Sequence, residues 1–526
     1  MTGETLLSNG RFFTDGGPSF DAVAIGGGRI IATGSRAEAR ESLSSRAETV
    51  DLRGAYVTPG LSDGHAHVLN YGRSRMGVPC WPSDVDSVGD IVGLIRAADA
   101  KLAPGKWVRG RGYDPGKLSE HRAPTADELD LPGGRPVVLD SFDFHRRVAN
   151  HAAMAAAGIV QGQPDPPGGH IVRDEGGEPT GEFLDAARGL LDPAIPPWSR
   201  EEDRQAVRIA ADRWLGMGFT AVTNAAPLTM SHWGEEVEAF LRAAQSDELP
   251  IRVRTMIRRE LLEAADAMGL LPGVGDDRLR VIGLKTFADG AIGPRTAALW
   301  EPYVSGGLGD LALEGPEIEE LARTAARRGW RLCIHAIGDR AVTTVAEALA
   351  AHPAEHPHRI EHCQMTDQRA VAAMASSRTI PVPQIAFLRQ RSEAFAAACG
   401  EERTARMYPL RTWIDAGLHP IHSSDSPVIP DPRPMPALAT AVTRADENGR
   451  VWGAEEGIGV SEGIRMMTSW AAEADGESDI RGKIAPGYLA DLTVLGEDPH
   501  RVPGGDIASI PVLMTIVGGV VRRIVE

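Results

Sequence analysis

Cysteine is scarce in this chain of 526 residues, and its spacing excludes two kinds of site. The four cysteines lie far apart and form no CxxC pair; they are Cys80, Cys333, Cys363 and Cys399. Such spacing indicates neither a disulfide framework nor a thiolate zinc site. We expect most of these side chains to behave as small buried hydrophobic groups.

Long apolar runs are also missing. No stretch approaches the roughly 18 consecutive apolar residues that a membrane helix requires. The first residues, Met1-Thr2-Gly3-Glu4, lack both the basic start and the apolar segment of a signal peptide. We therefore expect a cytoplasmic protein that makes no contact with a membrane.

Positive charge is in deficit. The chain has 55 Lys and Arg residues against 72 Asp and Glu residues, which gives a formal net charge of −17. A polyanion would be repelled on average, so the charge balance excludes nucleic acid as an expected partner. The expected partner is a small-molecule substrate, and a homodimer is compatible with the sequence.

Both ends of the chain show short strand patterns. In residues 1–57, two apolar runs at 22–25 and 29–32 flank three glycines, which predicts a hairpin. The alternative, a phosphate-binding loop, lacks its helix and its Lys-Ser/Thr pair. Residues 478–526 contain strand candidates at 490–495 and 514–521. We predict that the two ends pair into one small β-sandwich domain, because domain termini often lie close together.

The middle of the chain, residues 58–477, alternates short apolar strands with Ala-, Glu- and Arg-rich helical stretches. This alternation is typical of repeated βα units and predicts an α/β fold, a (β/α)8 TIM barrel. Length alone would also allow about three domains. The eight strand candidates end near His67, Asn224, Ile257, Lys285, His335, His362, Pro383 and Asp425.

Residues 71–190 fit this alternation poorly, because they are rich in Gly, Pro and charged side chains. We interpret them as an insertion between the first two barrel strands. An insertion after the C-terminal end of a strand lies over the active-site face of a barrel. The segment is therefore predicted to be a lid or a specificity element.

Ligand-type side chains stand at several predicted strand ends. His65 and His67 close an apolar run, and alternate residues of a strand share one face. Similar runs end at His335, at His362 and at Asp425. Imidazole and carboxylate are expected ligands of zinc and related divalent ions, and barrel strand ends converge on one spot. The pattern predicts a metal centre; the alternatives are hydrogen-bonded core histidines and, for Asp425, a helix N-cap.

Lys285 is the unusual member of this set, because a lysine at an inward strand position must be desolvated or paired. Desolvation lowers the pKa of an amine, and a neutral amine can react with CO2 to form a carbamate. A carbamate is an anionic oxygen ligand that can bridge two metals. The alternatives for Lys285 are an ion pair with Asp289 and a role as a catalytic acid.

Five runs of residues carry a family resemblance: Pro59-Gly60-x-x-Asp63-x-His65-x-His67, Leu284-Lys285-x-Phe287-x-Asp289-Gly290, Ile334-His335-Ala336-Ile337-Gly338-Asp339-Arg340-Ala341, Arg359-Ile360-Glu361-His362 and Ser424-Asp425-Ser426-Pro427. They resemble the amidohydrolase superfamily, specifically the YtcJ-like branch of its amidohydrolase-3 group, which includes N-substituted formamide deformylases. Weaker similarity at 149–159, 177–181, 218–223 and 487–492 extends the resemblance over nearly the whole chain.

The resemblance implies a barrel with a small β-sandwich built from both termini. It also implies one or two divalent ions, with zinc as the expected metal, and a set of site residues: metal ligands His65, His67, His335 and His362, a carboxylated Lys285, and Asp425 as catalytic residue and further ligand. Two positions depart from the family pattern. Gly64 stands where Ser or another small residue is usual, and Ser426 replaces a common Trp, which affects substrate contacts rather than the metal chemistry.

A mechanism follows from these residue types. A divalent metal lowers the pKa of bound water to about 7 and polarises a carbonyl, and Asp425 is placed to move the water's proton to a leaving amine. We predict hydrolysis of a C–N bond in an amide, formamide or cyclic amide. The alternatives are deamination or another carbonyl hydrolysis, and a non-catalytic regulatory or binding barrel.

Four further residues are predicted to support the site. Asp289 and Arg295 follow the lysine strand, and His145 lies in the insertion, so each is a candidate substrate contact. Asp339 is a candidate partner that orients the His335 imidazole. A surface or packing role is the alternative for each of them.

Overall fold

The computed structural model describes residues 3–142, 144, 146–166, 168–226, 233–246, 248–429 and 431–524. In chain order its strands are β1 (Thr5–Ser8), β2 (Arg11–Phe12), β3 (Ala22–Gly26), β4 (Arg29–Gly34), β5 (Glu48–Asp51), β6 (Tyr56–Pro59), β7 (Leu61–Ala66), β8 (Val78–Pro79), β9 (Val108–Tyr113), β10 (Val137–Ser141), β11 (Arg146–Ala149), β12 (Gly169–Arg173), β13 (Pro179–Asp185), β14 (Phe219–Asn224), β15 (Arg252–Arg258), β16 (Leu279–Phe287), β17 (Leu332–Ala336), β18 (Arg359–His362), β19 (Ile380–Val382), β20 (Leu492–Leu495), β21 (Val512–Val517) and β22 (Val520–Ile524).

The helices surround and connect these strands. The α-helices are α1 (Arg36–Glu41), α2 (Val68–Met76), α3 (Val88–Asp99), α4 (Ala126–Leu129), α5 (His151–Ala156), α6 (Arg200–Gly216), α7 (Trp233–Gln245), α8 (Leu262–Ala267), α9 (Gly315–Arg327), α10 (Asp339–Ala351), α11 (Gln368–Ser377), α12 (Ile385–Cys399), α13 (Glu401–Ala405), α14 (Leu410–Asp415), α15 (Pro434–Thr443), α16 (Val460–Met467) and α17 (Ser469–Ala474). Short 3-10 turns lie at Ala186–Leu190, Asp192–Ala194, Arg259–Leu261, Ala454–Glu456 and Asp506–Ser509.

A nearly closed parallel barrel of seven strands forms the centre of the molecule, in the order β19-β18-β17-β16-β15-β14-β7. Its strands are almost entirely buried, as is usual for a parallel sheet that helices cover. Their observed ends lie within two residues of the predicted ends. The parallel register brings the C-terminal ends of all seven strands to one face of the barrel.

The eighth predicted strand, ending near Asp425, is not assigned as a strand. Its extended segment, residues 421–425, nevertheless lies between β19 and β7. Ile421 N–H donates to Pro381 O at 3.2 Å, His422 O accepts from Gly64 N–H at 2.8 Å, and Asp425 N–H donates to His65 O at 2.7 Å. Other partners interrupt this ladder, because Met466 O and the Asp63 carboxylate take the N–H groups of His422 and Ser424.

Two further sheets combine the ends of the chain. One has the order β4-β3-β1-β5, and the other, β2-β6-β20-β21-β22, joins N-terminal and C-terminal strands. Both contribute to one apolar cluster that includes Leu7, Val23, Val57, Leu492 and Ile516. The terminal strands therefore share a core, while the domain boundaries at 57/58 and 477/478 stay a prediction.

Glycine pairs make the turns of the terminal sheets. The predicted hairpin of β3 and β4 is antiparallel, with Gly27 and Gly28 at φ 59° and 79°, values that glycine adopts without steric cost. The prediction of one strand at 514–521 is wrong. Gly518 and Gly519, at φ 58° and 74°, divide that run into the antiparallel pair β21 and β22.

The segment between β7 and β14, predicted as an insertion at 71–190, contains a sheet of its own with the order β12-β13-β11-β10-β9-β8. It has two apolar clusters, one built around Ile91 and Val108 and one around Phe183. Arg111 of β9 donates to Pro427 O at 3.4 Å, so this sheet reaches the loop that follows Asp425. In the described ranges, no helix is long and apolar enough to span a membrane.

Candidate metal centre

Four histidines and Asp425 meet at the C-terminal face of the barrel. His65 lies in β7 and His67 directly follows it, His335 lies in β17, and His362 ends β18. All five side chains belong to buried residues. The ring centroids of His65 lie 5.6 Å from His67 and 5.1 Å from His362, and those of His335 and His362 are 4.4 Å apart. The structure therefore brings the predicted imidazoles together.

Asp425 faces His65 and His67. Its Oδ1 atom lies 3.5 Å from His65 Nε2 and 3.4 Å from His67 Nε2. One ligand-type atom from each of these three residues lies within 4.8 Å of the others, which is a spacing that one ion can bridge. Asp425 has a left-handed backbone, φ 55°, and non-glycine residues with that conformation cluster at functional sites.

Hydrogen bonds fix which nitrogen of His65 and His67 carries the proton. His65 Nδ1 lies 2.5 Å from Glu361 Oε2, and His67 Nδ1 lies 2.8 Å from Ala226 O. A carboxylate or a carbonyl only accepts, so each Nδ1 donates and each neutral ring keeps its Nε2 lone pair. Both lone pairs then face the Asp425 carboxylate. Lone pairs on the ring nitrogens and on the carboxylate repel one another unless a cation lies between them.

The other two imidazoles are held in the same way. His362 Nδ1 lies 2.7 Å from Gln384 Oε1, whose amide nitrogen donates to Ser423 Oγ at 2.9 Å and so fixes the amide orientation. His335 Nε2 lies 2.8 Å from Gly290 O. These contacts leave His362 Nε2 and His335 Nδ1 as the lone-pair nitrogens. All four rings thus have the donor–acceptor pattern of neutral metal-ligating histidines.

Burial keeps the His65 and His362 rings neutral. The pKa of His65 lies well below its ordinary value, first because of burial and then because of the positive charge of Lys285. The pKa of His362 is lowered for the same first reason, with His335 and His65 adding to the effect. His65 Nε2 makes no hydrogen bond within the described part of the chain. A buried, neutral, unpartnered nitrogen fits a metal ligand.

Lys285 is buried in β16, with 1% of its surface exposed. Burial lowers its pKa to about 8, although Glu361 and Asp425 act in the opposite direction. Its Nζ atom lies 4.8 Å from the centre of the Phe287 ring. At neutral to mildly alkaline pH a substantial fraction of the amine is therefore unprotonated and able to react.

Asp63 and Gly64 hold the segment that carries Asp425. Asp63 Oδ1 accepts from Ser424 N–H at 2.9 Å, and Oδ2 accepts from Ser424 Oγ at 2.6 Å and Trp214 Nε1 at 2.9 Å. A Cβ at Gly64 would lie 2.8 Å from His422 O, which real Cβ atoms do not tolerate. Glycine at this position therefore permits the close approach of segment 421–425 to β7.

The predicted supporting residues lie in different surroundings. Asp289 accepts backbone hydrogen bonds from Ala298, Ile337 and Gly338 at 2.9–3.0 Å, and burial raises its pKa to about 7. Its Oδ1 also lies 3.6 Å from His335 Nε2. Asp289 therefore stands beside a candidate ligand, whereas its predicted contact with substrate stays a prediction.

Asp339 has partners other than the one predicted. Its carboxylate accepts from Trp300 N–H and Arg340 N–H, each at 2.9 Å, at the start of α10. The carboxylate that the structure places beside His335 is that of Asp289. The predicted orienting contact of Asp339 with His335 stays a prediction.

Arg295 and His145 stay predictions. Arg295 is exposed in a turn after β16 and has a left-handed backbone, φ 63°. His145 lies outside the described residues.

Glu361 and Gln384 contact candidate ligands, and the sequence reasoning missed both of them. Each accepts a hydrogen bond from a candidate ligand. A signal for Glu361 was available: Arg359 and Glu361 are two charged residues at alternate positions of a buried strand. Alternation would place Glu361 and His362 on opposite faces, yet both approach the His65 ring, and His362 has a left-handed backbone at φ 71°.

Comparisons with known proteins agree with this architecture. A family model described as the amidohydrolase family matches residues 48–523. The chain is 29% identical over 520 residues to the putative amidohydrolase YtcJ of Bacillus subtilis (strain 168), with 96% of each chain covered. It is also 29% identical over 521 residues to the N-substituted formamide deformylase of Arthrobacter pascens, covering 95% of this chain and 94% of that one.

A solved structure matches the fold over nearly the whole chain. It is an uncharacterized metal-dependent hydrolase from Pyrococcus horikoshii OT3, with a TM-score of 0.80 at 24% sequence identity, covering 95% of this chain and 99% of that chain. The likeness extends from the barrel to the sheets built by the chain ends.

Proposed function

We propose that this chain, which belongs to the amidohydrolase family, is a metal-dependent hydrolase that cleaves the C–N bond of an amide, formamide or cyclic amide. Family membership supports the metal-dependent hydrolase activity. The relative that is an N-substituted formamide deformylase supports formamides as one class of substrate. The observation that carries the proposal is the convergence of the His65 and His67 imidazoles on the Asp425 carboxylate.

The residues of the site fit one or two divalent ions, with zinc as the proposed metal. His65, His67, His335, His362 and Asp425 offer imidazole and carboxylate ligands, which zinc prefers. Such an ion lowers the pKa of a water to about 7 and polarises a substrate carbonyl. The outer partners of the four rings prepare them to bind it, because they hold each tautomer in place.

Asp425 handles the proton in this proposal. Its Oδ1 lies between His65 and His67, so it is placed to accept a proton from the attacking water. It then donates that proton to the leaving nitrogen, which must be protonated before the amine departs. The left-handed backbone and the bond from Asp425 N–H to His65 O hold the carboxylate at the strand end.

Lys285 is the proposed site of a carbamate. Its neutral amine attacks CO2, a C–N bond forms, and the amine loses one proton, which leaves an anionic oxygen ligand on the side chain. The lowered pKa makes the amine available. The carbamate would supply an oxygen ligand beside the imidazoles and bridge two ions if both are present.

The finer architecture is part of the proposal. We take segment 421–425 as the eighth strand of a (β/α)8 barrel spanning 58–477, because it bonds to β19 on one side and β7 on the other. Residues 1–57 and 478–526 would then form a β-sandwich domain, and 71–190 an insertion that selects a small-molecule substrate. The Arg111–Pro427 contact supports the last point.

The test measures metal content and then hydrolysis. Purified protein is analysed for divalent metals and assayed against a panel of N-formyl, N-acyl and cyclic amides, before and after removal and return of zinc. We expect bound zinc, hydrolysis of at least one panel member, loss of activity on chelation and recovery on reloading. A protein that binds no divalent metal contradicts the whole proposal, and one that binds metal but hydrolyses nothing contradicts the C–N assignment.

A further inference from the structure

Charged side chains of alternating sign extend through the barrel from its floor to the metal centre. The floor is the face where the strands begin, opposite the imidazoles. Six residues, which we name the ionic column, form this series: Arg254, Glu477, Arg481, Asp475, Arg359 and Glu361. Their side chains are at most 5% exposed. Barrel interiors are usually filled by branched apolar residues, so a buried column of charge requires an explanation.

The lower part of the column closes the floor. Glu477 pairs with Arg254 of β15 at 2.8 Å and with Arg481. Arg481 also pairs with Asp475 and donates to Ser62 Oγ of β7 at 2.8 Å. The segment 475–481 follows α17 and leads into the sheets of the chain ends, so it joins those sheets to the barrel interior.

The upper part of the column touches the metal centre. Arg359 Nε lies 2.8 Å from Glu361 Oε1, and Arg359 Nη2 lies 3.1 Å from Glu361 Oε2. Glu361 Oε2 in turn lies 2.5 Å from His65 Nδ1. Arg359 Nη2 also donates to Gly64 O at 2.5 Å, the carbonyl that precedes His65. Arg359 therefore holds both the ring partner of His65 and the backbone next to it.

One ion pair joins the two parts. Arg359 Nη1 lies 3.8 Å from Asp475 Oδ1, so the carboxylate on the floor attracts the guanidinium from below. A guanidinium is planar and rigid, and its fork matches both oxygens of one carboxylate. A bidentate contact of this kind restricts a glutamate that would otherwise sample several rotamers.

We infer that Arg359 is a positioning residue for the metal centre, which orients His65 through the Glu361 carboxylate and the Gly64 carbonyl and is braced by Asp475. The inference rests on the proposed metal site. Partners of metal-ligating histidines change metal affinity by about 10–100-fold when they are altered, and Arg359 acts on such a partner. Arg359 holds both oxygens of Glu361, and one of them, Oε2, is the oxygen that contacts His65 Nδ1.

Arg254 provides a matched control. It is an arginine with a fully buried side chain that pairs with a glutamate on both of its oxygens, at 2.9 and 2.8 Å. Its glutamate, Glu477, also pairs with Arg280 and Arg481, neither of which is a candidate metal ligand. A substitution there disturbs the floor of the barrel to a similar degree without acting on His65 directly.

The experiment compares Arg359→Lys, Glu361→Gln and Arg254→Lys with the unaltered chain. Zinc dissociation constants are measured by competition with a chelator of known affinity, and the visible absorption of the Co2+-loaded proteins reports ligand geometry. We expect Arg359→Lys and Glu361→Gln to weaken zinc binding by about 10–100-fold and to change the cobalt spectrum. Arg254→Lys is expected to lower the melting temperature while zinc affinity and the cobalt spectrum stay unchanged.

Two results would overturn the inference. One is unchanged zinc affinity and cobalt spectrum in Arg359→Lys and Glu361→Gln; if Arg359→Lys does not fold, Glu361→Gln alone decides. The other is an equal loss of affinity in Arg254→Lys, which would indicate a general loosening of the barrel. If the unaltered chain binds zinc but hydrolyses no amide, the C–N assignment fails while this inference stands, so the two failures are distinguishable.

Discussion

At the N-terminal ends of the barrel strands, buried guanidinium groups and carboxylates lie against one another in pairs. At the C-terminal ends, the Nε2 atoms of His65 and His67 lie 3.5 and 3.4 Å from the Asp425 carboxylate. Arg254 and Glu477 illustrate the first arrangement, with contacts of 2.8 and 2.9 Å. His65 illustrates the second, because its Nε2 atom has no hydrogen bond among the described residues. At one end the charged groups pair with one another, and the other end is arranged to bind a cation.

This difference between the two ends of the barrel indicates that one end stabilises the fold and the other carries the chemistry. Residues on the floor are linked to segment 475–481 and stabilise the fold, which matches the general division of barrels into a stable bottom and a reactive top. Residues at the top are oriented by outer partners, and His65 Nε2 has no hydrogen bond within the described residues. Substitutions at the two ends should therefore change different quantities.

The largest expected effect is at the top. Asp425→Asn removes the group that accepts and returns the proton, so kcat for any hydrolysed amide is expected to fall by about 10²–10⁴-fold. The global fold is expected to persist, because asparagine has nearly the same shape. Steady-state kinetics on the zinc-loaded variant, with circular dichroism as the folding check, measure this. Retention of full activity would remove Asp425 from the mechanism.

The next effect is at the floor. Arg254→Met leaves Glu477 with fewer partners in a buried site, and we expect the free energy of unfolding to fall by about 3 kcal/mol at pH 7, with kcat unchanged at low temperature. Arg481 remains beside Glu477, which limits the loss. Urea unfolding measures the difference, and a matching loss of kcat would contradict the separation of the two ends.

The same variant has an expected pH dependence. Burial alone would raise the pKa of Glu477, but Arg481 and Arg254 hold it down at about 2, below its ordinary value of 4.5. A carboxylate with a lowered pKa contributes stability above its unfolded value and loses it as the pH falls through the folded value. The difference in the free energy of unfolding between Arg254→Met and the unaltered chain should therefore become smaller as the pH falls from about 4.5 to about 2.

The smallest expected effect concerns Lys285. Its pKa of about 8 means that the charged amine predominates below pH 8 and the neutral amine above it. A carbamate forms from the neutral amine, so its 13C signal in protein equilibrated with 13C-bicarbonate should increase as the pH rises from 7 to 9. Lys285→Gln is the control and should lack the signal. A signal that persists in the control would assign it to another amine.

Much of the candidate metal centre could be predicted from the sequence. Each candidate ligand lies at the end of an apolar strand, and parallel strands have their C-terminal ends on one face. His65, His67, His335, His362 and Asp425 were predicted as ligands in this way, and the predicted family resemblance is confirmed. Segment 421–425 was predicted as a strand, but its N–H groups at His422 and Ser424 bond elsewhere, and such competition leaves no periodic signal.

The partners of the ligands could not be predicted. Glu361 contacts His65, although the two residues are 296 positions apart in sequence. Gln384, which lies just after β19, contacts His362. Strand alternation indicates which face a side chain occupies, but not which residue lies opposite across a barrel. The position of Asp289 beside His335 shows the same limit, because the sequence indicated Asp289 only as a candidate substrate contact.

The most direct test of the central claim is an equilibrium zinc titration of the metal-free chain and of His67→Ala. We expect stoichiometric binding by the unaltered chain, with one or two ions per chain, because the histidine rings and Asp425 are already assembled. His67→Ala should lose at least one ion or weaken its binding measurably. Absence of zinc binding in the unaltered chain, or identical titrations for both proteins, would contradict a metal centre at the top of this barrel.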